Sequence, residues 1–342
     1  MTTVDTQTVT NPTELAERWL AKFDRALGRG DPSAAATLLE QDGIWRDILA
    51  FTWDLHTFEG SEQVEAALTE SLATTKPKRF QVDYQTPPRY VERAGVEAIE
   101  AIFEFDTVVG RGRGVVRLVH DEIDQGDLRA WTLLTSLQEL SGFEDHTGER
   151  RPRGGLYSNN FGGPNWLDQR TAARQYEDAD PDVIIVGGGQ AGLGLAARLG
   201  QLDVDTLIVD RAQRVGDNWR NRYHSLALHN EVWVTHLPYL PFPPTWPVYV
   251  PKDKLANWFE AYVESMEINF WTGTEFVKGE YNSGEQRWSV VLRNLDGTER
   301  IMHPKHVVMA TGVSGIPNVP AVPGCNIVSA VRRGRRLRTV TS

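Results

Sequence analysis

The stretch DVIIVGGGQAGLGLAARLGQLDVDTLIVD, residues 182–210, constrains this chain more than any other part of it. It reads as strand, glycine turn, helix and strand, with an acid closing the second strand. Val183 to Val186 is an unbroken apolar run, the pattern of a parallel strand buried on both faces. Gly187, Gly189 and Gly192 follow at the G-x-G-x-x-G spacing. Gly187 permits the tight turn, Gly189 lets a pyrophosphate approach the backbone, and Gly192 lets helix and strand pack closely. The helix N-terminus then offers free N–H groups and its positive dipole end to that pyrophosphate. Asp210 lies 18 residues after Gly192, near the spacing of an acid that hydrogen-bonds a ribose hydroxyl. A glycine-rich turn in an unrelated α/β protein would explain the triplet. It would not explain strand, helix and acid together, so a dinucleotide site is expected.

The rest of the composition narrows the class. A chain of 342 residues suggests about two domains. A hydrophobic fraction of 40% with 24% charged residues is enough to bury a full core. The net charge of −10 disfavours a nucleic-acid partner. MTTVDTQTVTNPTEL has no basic region followed by an apolar run, so no signal peptide is expected. No uninterrupted run of about 18 apolar residues exists, so no membrane span is expected either. Cys325 is the single cysteine, which rules out a disulfide within the chain and makes a cytoplasmic location the expectation. The eight His are dispersed and suggest no metal site. Eleven Trp, spread through both halves, are expected in cores or pocket walls.

Along the chain, residues 12–28 predict an amphipathic helix on Leu15, Trp19, Leu20, Phe23 and Leu27. Asp31 and Pro32 predict the cap and first turn of a second helix through Leu39. Residues 44–58 are aromatic and include a strand. Ser61 is expected to cap a third helix through Leu72. Strand-like runs follow near 79–85, 97–109, 113–122 and 128–139. Glycines at 110, 112 and 114 and the Asp124–Gly126 segment are read as their separators. Residues 12–140 thus form an α+β domain. Residues 141–180, rich in Gly, Asn, Arg and Pro, are expected as an extended linker with a short helix at 166–177. The glycine-motif domain starts near 181. It holds a helix at 251–265, with Leu255, Trp258, Phe259 and Tyr262 on one face, and strands near 268–271, 274–281, 287–293 and 305–310. The tail 325–342 is basic. A solvated tail, a nucleic-acid or membrane-binding tail, and sequence not native to this fold all remain open.

Three further segments carry a family resemblance. GDNWRNRYHSLALHN at 216–230 follows the second strand where flavin-containing monooxygenases have a G-x-x-W-R segment. PYLPFPPTWPVYVPKDKLANWFEAY at 238–262 is similar to the family's proline-rich region and following helix. HVVMATGVSGIPNVPAVPG at 306–324 resembles its third FAD segment, ending a strand in Ala310, Thr311 and Gly312. The resemblance covers about 165 to 324. Separately, 12–140 resembles by pattern the SnoaL-like, nuclear-transport-factor-two-like cone fold. The overall expectation is an α+β cone-like N-terminal domain followed by an α/β Rossmann-type FAD-binding domain over 181–324, incomplete at its C-terminus.

The resemblance implies an FAD-binding oxidoreductase of the NADPH-dependent monooxygenase type, which oxygenates small molecules through a flavin hydroperoxide. Gly187, Gly189, Gln190, Ala191 and Gly192 would contact the FAD pyrophosphate, and Asp210 with Arg211 the adenosine ribose. Gly216, Asn218, Trp219 and Arg220 would run beside the flavin side, with His229 and Asn230 near the isoalloxazine. Val277 would give backbone contacts to adenine, and Ala310, Thr311 and Gly312 would close the far end of the pyrophosphate region. For Trp219 and His229, plain core packing is an equal alternative. No catalytic side chain is assigned. In the N-terminal domain, Trp45, Asp47, Trp53, Asp54 and His56 could line a cavity and do acid–base work. Aromatic packing with a few satisfied polar groups is the preferred reading there.

A full member of the family carries a second Rossmann unit for NADPH, and no such motif follows Gly312 here. The resemblance stops around Cys325 to Val328. A truncated or frameshifted chain, inactive alone and binding FAD weakly if at all, is therefore expected. Dithiol reductases share similar FAD segments, but they need a cysteine pair. A non-catalytic nucleotide-binding protein, forming a homodimer through its N-terminal domain, is the alternative from another class. A simple NAD dehydrogenase has no role for the G-x-x-W-R and Ala-Thr-Gly segments.

Overall fold

A computed structural model describes residues 11–120, 127–155, 159 and 161–313. The tail at 325–342, the end of the third FAD-like segment and the Asp124–Gly126 turn lie outside the described residues. The chain divides into two compact units between Glu144 and Asp145.

The first unit opens with α1 (Pro12–Gly28), started by the Asn11 side chain accepting the Thr13 N–H at 3.0 Å. Leu15, Trp19, Leu20, Phe23 and Leu27 are all buried on one face, as their spacing predicts. Next, α2 (Pro32–Ala36) is capped by Asp31, but it stops short of Leu39. The Leu38 carbonyl accepts both the Trp19 Nε1–H (3.0 Å) and the Ala130 N–H (2.8 Å). A backbone group committed to a sheet cannot extend a helix, so Leu39 opens β1 (Leu39–Ile48) instead. It pairs with β2 (Leu55–Glu59). Helix α3 (Ser61–Thr75) has Ser61 as its first residue rather than its cap. That place is taken by Gly60 at φ +82°. Strands β3 (Lys78–Val82), β4 (Arg89–Arg93), β5 (Val96–Asp106), β6 (Gly110–His120) and β7 (Leu128–Leu140) complete the unit. The sheet runs β2-β1-β7-β6-β5-β3, with β4 also on β5. Only the β1–β7 pairing is parallel. The helices bury one face of it, an α+β arrangement as expected.

Gly110 opens β6, but Gly112 and Gly114 do not separate strands; they lie inside β6, on the same face as Gly110. Phe103 and Phe105 on β5 stand directly opposite Gly114 and Gly112, and a Cβ at either glycine would fall within the facing ring. These rings join Phe80, stacked on Phe105 at 4.9 Å, and Phe23, edge-on to Phe80 at 5.4 Å. The interior is thus packed with aromatics. Trp45 and Asp47 are part of it. Trp45 Nε1–H donates to Thr135 Oγ1 (2.9 Å), whose hydroxyl donates to Asp47 Oδ1 (2.7 Å). Asp47 Oδ2 accepts the Phe51 and Thr52 N–H groups and the Thr52 hydroxyl. Every lone pair that matters on this buried carboxylate is satisfied, as the packing reading requires. Trp53, Asp54 and His56 are exposed.

The second unit begins with the stretch expected as a linker. It folds back onto its own unit. Helix α4 (Trp166–Gln175) starts with a capping box between Asn165 and Asp168. Trp166 Nε1–H reaches Glu267 (2.9 Å), and Arg170 reaches Asn269 (2.9 Å). The helix ends at Tyr176, in the left-handed region at φ +50°, with its hydroxyl donating to Asp205. Burial, then the Asp205 hydrogen bond, pushes the Tyr176 phenol well above its ordinary value. The Rossmann-type core follows: β8 (Val183–Val186), α5 (Gln190–Gln201), β9 (Thr206–Val209), α6 (Asp217–Arg220), α7 (Lys252–Ser265) and β10 (Asn269–Trp271). A meander of β11 (Thr274–Asn282), β12 (Arg287–Asn294) and β13 (Glu299–Met302) precedes β14 (His306–Met309). Neither the short β13 here nor β4 in the first unit is among the strands that the sequence pattern predicts. The parallel sheet runs β10-β9-β8-β14, and the meander forms its own antiparallel sheet. Among the described residues no helix is long and apolar enough to cross a membrane, and no cluster of three metal-ligating side chains occurs.

Two outcomes are expected for the first unit. Gly112→Ala and Gly114→Ala should each lower its stability to urea by about 1–3 kcal/mol through overpacking, whereas Gly28→Ala, with open space around it, should not. Glu100 gives the second. Burial raises its carboxyl pKa, but hydrogen bonds from Arg89, Arg117 and Arg93 overcome that and hold it below the ordinary 4.5. A depressed folded-state value stabilises the protein above pH 4.5 and loses that contribution as pH falls through the folded value. Glu100→Gln should therefore flatten the acid limb of a stability-against-pH curve.

Candidate functional site

In the parallel sheet the chain order reverses between β8 and β14. Such a reversal opens a crevice at the carboxyl ends of the two strands. The glycine turn sits at one of these ends and Ala310–Gly312 at the other. Gly187 adopts φ +113°, and a Cβ there would stand 2.5 Å from Ala310 O. Gly192 leaves room for the Gly187 carbonyl, which a side chain would strike. Both glycines are thus required by backbone approach, as the motif implies. The turn is tied at its base, where Gly187 N–H donates to Val209 O (2.9 Å) and Ala310 N–H to Val186 O (2.8 Å).

Gly189 is the N-cap of α5, with no side chain bonding to the helix end. The first bond of the helix runs from Leu193 N–H to Gly189 O (2.9 Å). The N–H groups of Gln190, Ala191 and Gly192 precede that bond, so helix geometry leaves them without intrahelical partners. Three such donors beside a positive dipole end form an anion cradle. Asn218 comes close to it: a Cβ on Gly189 would lie 3.3 Å from its Nδ2.

Asp210 follows β9 at the same end of the sheet. Its Oδ2 accepts the Gly188 N–H (2.7 Å) and its Oδ1 the Ala212 N–H (2.8 Å). The expected ribose acid is therefore bonded to the glycine turn as well, with further lone pairs on both oxygens. Arg211 beside it is exposed.

The G-x-x-W-R segment forms α6 after Gly216, at φ +85°, where a Cβ would press on Ala256 O of α7. Arg220 faces α7. Its guanidinium donates to Val215 O (2.5 Å) and Asn257 Oδ1 (3.1 Å) and pairs with Asp217 and Glu260 at 3.2 Å each. Trp219 packs against the core of the unit, and its Nε1 is buried with no partner among the described residues. His229 and Asn230 are exposed, with His229 Nε2 3.5 Å from the Tyr223 hydroxyl. Val277 falls at a β-bulge, where the β11–β12 register passes from Phe276 to Lys278 without it. Thr311 and Gly312 are exposed beyond β14, with Gly312 at φ +73°. The structure thus gathers Gly187–Gly192, Asp210, Asn218 and Ala310 at one mouth. It turns Arg220 to α7.

In the last turn of α5, Arg198 forms a clasp with Asp145 and Tyr239. The Tyr239 hydroxyl donates to Asp145 Oδ2 (2.7 Å), and the Arg198 guanidinium lies 4.9 Å from the Tyr239 ring centre. Burial, then the Asp145 hydrogen bond, pushes the Tyr239 phenol up to about 12. Three partners of the site were not legible beforehand: Phe270, Asn257 and Glu260. Phe270 had one signal, the middle glycine of the run, Gly188, where a Cβ would strike its ring. For the partners of Arg220 nothing local pointed to residues 37 and 40 positions away.

Residues 181–342 match the family model for pyridine nucleotide-disulphide oxidoreductases. The chain is 33% identical over 159 residues to an indole-3-pyruvate monooxygenase, YUCCA1, of Oryza sativa subsp. japonica, covering 46% of this chain and 38% of that one. It is 31% identical over 139 residues to an uncharacterized CzcO-like oxidoreductase of Geobacillus kaustophilus, covering 41% and 38%. A flavin monooxygenase from Stenotrophomonas maltophilia, of known structure, is 24% identical, covers 43% of this chain and 42% of its own, and has a TM-score of 0.37. The chain spans about 38% of the length of these two curated relatives.

Because Arg220 is held by α7, Arg220→Ala should act on stability. Loss of its ion pairs and hydrogen bonds is expected to cost the second unit about 1–3 kcal/mol, read as an earlier unfolding midpoint in urea.

Proposed function

We propose that the second unit is the FAD-binding part of an oxidoreductase that works as an NADPH-dependent monooxygenase on small molecules. The observation that carries this is the glycine turn, held against Ala310 at the strand-order reversal, with the unpaired N–H groups of α5 facing the crevice. The curated relatives over this region include indole-3-pyruvate monooxygenases, which supports the oxygenase class. The residues fit the cofactor: the cradle at Gly187, Gly189, Gln190, Ala191 and Gly192 has the donors and the space that a pyrophosphate needs. Asp210 and Arg211 would hold the adenosine ribose, and Val277, out of register at its bulge, would offer backbone groups to adenine. Asn218 and Trp219 would flank the flavin side with Gly216 and Arg220, Trp219 bringing a buried indole N–H that has no partner among the described residues. His229 and Asn230 would approach the ring system, and Thr311 and Gly312 would close the far end of the pyrophosphate. Bound FAD would supply the redox and oxygen chemistry. The protein's share is to orient the cofactor and exclude water.

The first unit, in this reading, is a SnoaL-like cone domain. Its helix-free sheet face carries a row of Ile102, Val115 and Leu134 across β5, β6 and β7, all half-buried, on which a second copy would pair.

Titration of the full chain with FAD, followed by flavin fluorescence, tests the proposal. Weak but saturable quenching is expected, and Gly189→Val should weaken it at least about tenfold further by pushing a side chain into the cradle. Absence of saturable binding by the unaltered chain would sink the reading.

A further inference from the structure

Gly188 occupies a variable position of the G-x-G-x-x-G pattern, yet its surroundings admit no side chain. A Cβ there would fall inside the Phe270 ring and 3.2 Å from Asp210 Oδ2. Its backbone is not in the left-handed region, so conformation alone does not demand glycine. The ring does. Phe270 sits on β10 and packs against the core of the unit, so it cannot simply swing away. On the other side, the Gly188 N–H donates to Asp210 Oδ2 at 2.7 Å. Asp210 is itself immobilised. Its N–H donates to Trp271 O (3.0 Å), its carbonyl accepts from Thr274 N–H (2.9 Å), and its Oδ1 accepts from Ala212 N–H (2.8 Å).

We propose that Phe270 and Asp210 form a bracket around Gly188 that sets the glycine turn before a nucleotide arrives. Both are positioning residues for the phosphate cradle. A hydrogen bond from an amide to a carboxylate is among the stronger ones, and it fixes the orientation of the peptide unit entering Gly188. A turn ordered in advance spares the ligand that ordering, which raises affinity without a new contact. The proposal rests on the dinucleotide reading above, and it adds a distinction. An acid that acts only on ribose hydroxyls affects only ligands that carry them. An acid that braces the turn affects every ligand of the cradle.

The test uses the full chain and two ligands, ADP and 2′,3′-dideoxy-ADP, followed by calorimetry. Asp210→Ala is expected to weaken both, each about tenfold. Unchanged affinity for dideoxy-ADP would overturn the proposal. Gly188→Ala should weaken ADP binding by a similar factor, and Gly188→Ala with Phe270→Leu should recover most of the loss. A Gly188→Ala chain that binds like the unaltered one, or a double variant no better than the single, would also overturn it.

A third arm needs no ligand and no change at Gly188. In the nucleotide-free protein the Gly188 amide should exchange with solvent slowly. Asp210→Ala should speed that exchange about tenfold, while Asp210→Asn, which keeps an acceptor, retains most of the protection. Equal exchange in all three proteins overturns the bracket. If the unaltered chain binds neither nucleotide, the dinucleotide reading fails, and the exchange arm still decides on the bracket.

Discussion

The second unit depends on how closely three pieces of backbone can approach. The turn after β8 must pass beneath the end of β14 and then bring α5 back over β8. At Gly187 the limit is Ala310 O, and at Gly192 it is the Gly187 carbonyl itself. Any side chain at either position forces the layers apart. With the layers in contact, the N–H groups of Gln190 to Gly192 start α5 at the crevice between two parallel strands, where in the proposed reading an anion would need no side-chain cation. The geometry of the cradle is thus a consequence of missing atoms.

The first unit uses the same device for a different end. Gly112 and Gly114 leave space on a sheet face, and Phe105 and Phe103 from the neighbouring strand fold into it. Burying aromatic rings is a large favourable term, and their arrangement fills the interior between helices and sheet. Asp47 is admitted to that interior because Thr135, Thr52 and two backbone N–H groups satisfy it. A carboxylate so fully bonded is a structural node. Trp53, Asp54 and His56 are exposed beside it, with His56 opposite Asp47 across β1 and β2 and Asp54 bonded to Thr52.

What could be read in the sequence was what is local and periodic. The helix at 12–28 has its apolar face at regular spacing, and the strand–turn–helix–strand at 182–210 carries its geometry in glycine positions. Elements set by distant partners were less legible. The second helix ends early because Leu38 O is bonded to Ala130 N–H, 92 positions further on. The glycines of β6 look like punctuation until Phe103 and Phe105 are placed across from them. The stretch after 141 looks like a linker by composition, yet Trp166, Arg170 and Tyr176 each find a partner more than 25 positions away. In the candidate site the same division holds. The cradle was visible, but the other partner of Asp210 and the anchoring of Arg220 were not.

That anchoring bears on how charge would be balanced in the crevice. Arg220 stands in the segment expected to run beside a phosphorylated cofactor, and a guanidinium is well suited to pair with phosphate. Here it is paired with Asp217 and Glu260 and hydrogen-bonded to Val215 O and Asn257. Turning it toward a ligand would leave Asp217 without this ion pair, leave Glu260 to Arg214 alone and remove the bond to Asn257 on α7, a cost comparable to the gain. Asp210 is constrained in the opposite sense, since a negative charge beside the cradle repels a pyrophosphate. Its bonds to the Gly188 and Ala212 N–H groups hold the carboxylate on the turn, with a lone pair left on each oxygen. The electrostatic work at the cradle therefore falls to the backbone: oriented N–H groups at the start of α5, with one acid spent on holding the turn that presents them.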